Sequence, residues 1–330
     1  MHLVLALPGL LAPGAARDRP APHLARLIAL AGTPEREPDG LDAALAARYG
    51  IQRSHDWPLA AIRAAALGVD TGTAYWFAAD PVTLEAGSND VLLSGAVRDL
   101  GSDDAAALLA ALNAHFAGDA IAFVAVRPDA WFVRSDVPAA LSTHPLAAVA
   151  GRMMREFMPA GPDSGKWRRW QNEIEMLLHA HPVNVAREAA GKPPANGIWL
   201  SEGGALPPSA TGIRTFAESG IALALAHHAG APATQLPASL DAALVAAEGA
   251  STVVVALPAS IDLAQVQSAW AQPAWNALVH GRIATIAIIG DDAGGALVWS
   301  ARPPGPWQRM ARSLARDDLA RALAVAREPT

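Results

Sequence analysis

The chain has no cysteine among its 330 residues and only 17% charged side chains. The first absence excludes disulfides, thiolate metal sites and a cysteine nucleophile, without fixing a compartment. No apolar run approaches the ~20 residues that span a bilayer. The apolar start, MHLVLALPGLLAPGAA, has no Lys or Arg before it, and Pro8-Gly9 interrupts it. It therefore reads as a buried first strand over residues 2–7, not as a signal peptide. A soluble, cytoplasmic protein without a membrane partner is expected. The formal net charge of -6 argues against nucleic acid as a partner. The familiar site motifs are missing too: no phosphate loop, no dinucleotide fingerprint, no H-E-x-x-H and no G-x-S-x-G elbow.

What is present is core-forming. With 52% hydrophobic residues the chain excludes disorder and can fill one large α/β domain carrying a smaller one. The patterning predicts helices over 22–30, 41–49 and 57–67, with a polar loop TPEREPDG after the first. A strand over 91–97, a helix beginning at Ser102-Asp103-Asp104 and a hairpin IAFVAV/AWFVR follow. This run, residues 80–145, reads as an inserted α+β domain; residues 1–79 and 146–330 read as the α/β core. In the core come a helix over 166–179, the strand IWLS, a helical stretch GIRTFAESGIALALAHHAG, the strand STVVVALP, a helix over 264–280, the strand IATIAIIG and a last strand ALVWSAR. Apolar strands alternating with helices predict a mostly parallel sheet with helices on both faces.

Residues 167–204, WRRWQNEIEMLLHAHPVNVAREAAGKPPANGIWLSEGG, hold the densest set of polar side chains. Asn172, Glu175 and His179 share one helix face, read as a solvated stripe that could also orient an imidazole. His181, beside Pro182, reads as a helix C-terminal residue bonded to free carbonyls. In the turn that follows, Asn184 and Asn196 can tie down the loop or bind a ligand, and the Arg187 fork suits a carboxylate or phosphate. Gly203-Gly204 lets the backbone approach something closely. Ligands of open α/β sheets bind beyond the strand carboxyl ends, where this segment is expected to fall.

The stretch from Asn172 to Gly204 resembles the archaeal-type cofactor-independent phosphoglycerate mutases, and residues 80–145 resemble that family's substrate domain, closed by STHPL. Within that broad family, Asp80-Pro81-Val82-Thr83-Leu84, Leu112-Asn113-Ala114-His115-Phe116 and Trp167 to Asn184 are most similar to the bacterial RpfE-type regulatory proteins. The resemblance implies an alkaline-phosphatase-like α/β fold with a small inserted α+β domain.

Active members of that family use two divalent metals held by Asp and His, and a Ser that becomes phosphorylated. Their first strand ends in an Asp-bearing ligand turn, but this chain reads Ala6-Leu7-Pro8-Gly9-Leu10. Val266 stands four residues after Asp262, where an Asp-x-x-x-His pair would need a His. Asp291-Asp292 is the weak remaining metal candidate and reads first as a turn between strands. Ser54, in RSHDW, is the one tempting nucleophile. The expectation is a relative without the two-metal centre, needing no cofactor, that acts as a regulatory or small-anion-binding protein. Its ligand would be a small phosphorylated or carboxylate molecule held by Asn184, Arg187, Asn196, His181, Glu202 and Arg134, with Arg152 and Arg168 near. Two alternatives stay open. One is an active phosphomutase or phosphatase using Mn or Zn on Asp291, Asp292, His227 and His228. The other is a regulator that binds only a protein partner, through an exposed patch drawn from the ten tryptophans.

Overall fold

The computed structural model describes residues 1–12, 20–87, 90–292, 294–305 and 318–327. The apolar start is therefore described only to Ala12. The chain forms two compact units, Met1–Ile51 with Ser209–Thr330, and Gln52–Pro208. The boundaries expected at 79/80 and 145/146 both fall inside the second unit. The reason lies in one long strand, Tyr75–Ala86, which crosses residue 80 and pairs with Gly197–Ala205 beyond residue 145.

In the first unit, β1 (His2–Leu7) follows the expected apolar run, and α1 (Pro22–Ala31) starts with proline in its first turn. The loop TPEREPDG contains a short strand, β2 (Glu35–Glu37), before α2 (Gly40–Arg48). In the second unit, α3 (Leu59–Ala66) leads into β3 (Tyr75–Ala86), β4 (Val91–Ala96), α4 (Ser102–His115), β5 (Ile121–Arg127) and β6 (Ala130–Ser135). A short α5 (Leu146–Val149), β7 (Arg152–Met153), α6 (Ser164–His179), α7 (Pro182–Ala189) and β8 (Gly197–Ala205) complete it. The chain then returns to the first unit as β9 (Ile213–Phe216), α8 (Ile221–His228), α9 (Leu240–Ala246) and β10 (Thr252–Ala256). Helix α10 (Leu263–Gln265) runs through a π-helical stretch into α11 (Gln272–Val279). β11 (Thr285–Asp292), β12 (Gly295–Ala301) and α12 (Leu319–Arg327) end the described chain.

Three readings change. GIRTFAESG is not helical: Ile213, Thr215 and Phe216 are buried and extended beside β10, and Gly220, at φ 80, opens the helix that follows. PVNVAREA is a helix and not a turn, with Pro182 in its first turn. β8 belongs to an antiparallel sheet, not to the parallel one.

The first unit's sheet has the order β2-β12-β11-β1-β10-β9. Strands β11, β1, β10 and β9 are parallel, while β12 and β2 join antiparallel at the edge opposite β9. Leu3, Leu5 and Leu7 of β1 pack with Leu24, Leu27 and Ile28 of α1 and with Trp270. α2 packs on β11, β12 and β1, so helices cover the sheet. The second unit's sheet is antiparallel, in the order β5-β6-β3-β4-β7, with β8 along β3. Its core joins Phe77, Phe116, Phe123, Trp167 and Trp170 to the apolar faces of α4 and α6. Eight tryptophans are buried and Trp275 is partly buried. Trp307 lies outside the described residues. Among the described residues, no helix is long and apolar enough to cross a membrane.

Candidate functional site

In the first unit, the carboxyl ends of the parallel strands meet at the turn after β1. Gly9, at φ 75, donates its N–H to Asp291 Oδ1 at 2.7 Å, and Leu11 N–H donates to the Asp291 carbonyl at 3.1 Å. Buried Leu10 fills the space beneath: a Cβ on Gly290 would lie 2.9 Å from its Cβ and Cδ2. Burial pushes the Asp291 carboxyl above the usual range, against the pull of the Gly9 N–H; nearby Asp42 and Asp292 add to the rise. Asp292 turns β11 into β12 by accepting the Gly294 N–H at 2.8 Å. His227 is exposed and His228 half-buried, at the C-terminal end of α8. Among the described residues, no group of three or more His, Asp or Glu is placed to hold a metal ion.

The second unit holds a polar network that the sequence patterning did not single out. Buried Asp56 accepts the Trp57 N–H at 2.9 Å on one oxygen; the other takes the Gly203 N–H at 3.0 Å and the Thr143 hydroxyl. Thr143 Oγ1 accepts the Glu202 N–H at 3.1 Å. Arg63 of α3 clasps Glu202 with two bonds, 2.8 and 3.1 Å. Glu202 sits at φ 63, in the bulge where Glu202 and Gly203 together oppose Phe77. A left-handed non-glycine residue costs on the order of 1–2 kcal/mol. The Arg63 fork and the Thr143 contact offset that strain. Tyr75 brings a buried hydroxyl with no partner among the described residues, pushed up chiefly by burial and further by Asp56 and Asp163.

Asp80 belongs to the same neighbourhood. It lies in β3 between the residues paired to β6 and those paired to β4. Burial is the main cause that pushes its carboxyl up to about 6; Glu202 adds to this, while Arg63 and Arg98 oppose it. Its folded value exceeds its ordinary one, so its contribution favours the fold below about pH 4 and is lost as pH rises through about 6. Asp80→Asn is therefore expected to stabilise the protein at pH 7 by roughly 2 kcal/mol, with no gain at pH 4. Urea titrations at the two pH values read this directly. The acid is visible in the sequence as the one charged residue inside YWFAADPVTL, but not its neighbours from α3 and β8.

The residues expected to bind a ligand are placed as follows. Asn184 is buried: its amide donates to the carbonyls of Leu178 (2.8 Å) and Ala195 (3.0 Å), and its oxygen accepts the Ala195 N–H (2.8 Å). Arg187, also buried, donates to the Pro193 carbonyl at 2.9 Å and to the Asp99 carboxylate at 2.5 Å, and holds that carboxyl below its usual range. Asn196 pairs with both backbone groups of Leu84, at 2.7 and 2.9 Å. His181 caps α7, its Nδ1 accepting the Val183 N–H at 3.2 Å, instead of ending α6. Arg134 is exposed and pairs with Asp136 at 2.7 Å. Arg152 lies over the Phe157 ring, and Arg168 donates to the Pro159 carbonyl. Glu175 is half-buried with one oxygen buried and unpartnered among the described residues, so it does not belong to a solvated stripe with Asn172 and His179. Of the expected set only Glu202 joins the network around Asp56; the others tie the second unit's own loops.

No protein-family profile matches the chain. The fold is mixed α/β with two sheets, and the chain is weakly homologous to cofactor-independent phosphoglycerate mutase. It is 25% identical over 111 residues to the 2,3-bisphosphoglycerate-independent phosphoglycerate mutase of Methanosarcina barkeri, spanning 33% of this chain but only 28% of that protein. The PH0037 protein from Pyrococcus horikoshii shares the fold at 14% identity, with a TM-score of 0.50 over 100% of this chain and 98% of the other. The cofactor-independent phosphoglycerate mutase from Thermoplasma acidophilum aligns at 16% identity over 100% and 95% of the two chains, with a TM-score of 0.45.

Proposed function

We propose that this chain is a phosphoglycerate-mutase-like protein without the two-metal phosphotransfer centre, acting as a regulatory or small-anion-binding protein. The observation that carries the reading is the β1 exit. Leu10 packs on Gly290, and Asp291 is engaged by the Gly9 N–H at 2.7 Å. A two-metal reaction needs ions at both the attacking and the leaving oxygen, and this corner offers packing where ligands would have to stand. In this reading the chain is a cytoplasmic, bacterial RpfE-type regulatory protein with an alkaline-phosphatase-like first unit. It needs no resident cofactor, and its ligand is a small phosphorylated or carboxylate molecule.

Metal content and turnover test it together. Purified protein is expected to carry well under one equivalent of metal and to show no mutase or phosphatase activity with added Mn²⁺ or Zn²⁺. Stoichiometric metal with metal-dependent turnover would overturn the reading and make Asp291 and Asp292 ligands.

A further inference from the structure

Leu10 packs on Gly290 at the carboxyl end of β11, and the amino ends of the parallel strands lie at the opposite edge of the sheet. There the first unit holds a cavity of about 360 Å³, a volume suited to a small organic molecule. Its polar lining is His2, Arg48, Thr252, Thr285, Ser300 and Arg302, and no Asp or Glu lines it. Its two charged residues are both arginines, Arg48 and Arg302. Register brings these residues together: His2 stands beside Thr252 and Thr285 at the strand starts, and antiparallel β12 returns Ser300 to the same edge.

The donors are under-used. Arg48 places Nη2 on exposed Glu35 at 3.2 Å, while its Nε is buried and has no partner among the described residues. His2 Nδ1 is paired with Thr285 Oγ1 at 2.7 Å, which fixes the ring. Arg302, Thr252 and Ser300 make no side-chain hydrogen bond to described residues. A buried donor without an acceptor is costly, and guanidinium forks match oxyanions in geometry. The rest of the wall is apolar, with Leu3, Val4, Ile286 and Ala287.

We infer that this cavity binds a small phosphorylated organic anion, its oxyanion held by Arg48, Arg302 and His2 and its carbon part lying on the apolar wall. The inference rests on the small-anion part of the function proposed above. It also moves that site away from Asn184, Arg187 and Asn196, whose side chains are already engaged.

Calorimetric titration of the full chain with 3-phosphoglycerate, inorganic phosphate and glycerol tests it. Saturable binding is expected for the phosphoester, more tightly than for inorganic phosphate, and none for glycerol. Arg302→Ala and Arg48→Gln are each expected to weaken binding at least tenfold, while Arg127→Ala in the second unit leaves it unchanged. Arg302 is exposed, so its variant keeps the test sound if the Arg48 variant folds poorly. No saturable binding, equal binding of glycerol, or full binding in both arginine variants would overturn the assignment. Such failure, with no metal-dependent turnover, would leave the loss of catalysis standing and remove only the anion.

Discussion

Asn184→Ala is expected to destabilise the second unit by about 3–5 kcal/mol, the sum of two orphaned backbone groups and a small void. Three hydrogen bonds of 2.8–3.0 Å disappear, and Ala195, itself 1% exposed, loses the partner of both its N–H and its carbonyl. The Leu178 carbonyl keeps a second donor, the His181 N–H at 3.2 Å, so the cost falls mainly on Ala195. Urea unfolding followed by tryptophan fluorescence reports it, because Trp167 and Trp170 lie in the same core. A loss below about 1 kcal/mol, the scale of one net hydrogen bond, would contradict the structural role and return Asn184 to the list of ligand contacts.

Gly204→Ala should be nearly as damaging, for a steric reason. A Cβ there would lie 2.4 Å from Pro58 Cβ and 2.7 Å from Pro58 Cα, at the entrance to α3. Overpacking usually costs 1–3 kcal/mol, and about 3 kcal/mol is expected here because the obstacle is the backbone of a ring-locked residue. Gly165→Ala in α6 is the contrast, since nothing stands within 4 Å of its new Cβ. That change should be neutral, or stabilising by up to about 1 kcal/mol. Thermal melts of the pair decide it; equal midpoints would sink the packing argument. The sequence reading that Gly203-Gly204 permits a close approach named no neighbour. The neighbours are Phe77 and Pro58 of the same unit.

Most strands and helices could be read from apolar periodicity, because burial of one face imposes it locally. β1, β5, β6, β10 and α6 are cases in point. Failures came where local pattern was ambiguous. IRTF sets Arg214 and Thr215 between two apolar residues and IALALAHH is mostly apolar; only the place beside β10 makes the first extended. In PVNVAREA the buried residues are the polar Asn184 and Arg187, and its helix depends on them and on the His181 cap. The polar residues in the stretches that resemble the phosphoglycerate mutases could be read either as ligand groups or as anchors of the loops. Asn113 is an anchor of this kind: it holds the N–H and carbonyl of Phe123 at 2.8 and 2.9 Å.

By itself the sequence determined the α/β character, the apolar first strand and the missing carboxylate at its exit, since these follow from residue type and order along the chain. Only the tertiary structure decided that β8 leaves the parallel sheet to pair with β3, and that Asp56, Thr143, Arg63 and Glu202 meet. It alone also gathers Arg48, Arg302 and His2 around one cavity. Those outcomes depend on contacts between segments tens to hundreds of residues apart. Strand register and packing set such contacts, and no local periodicity encodes them.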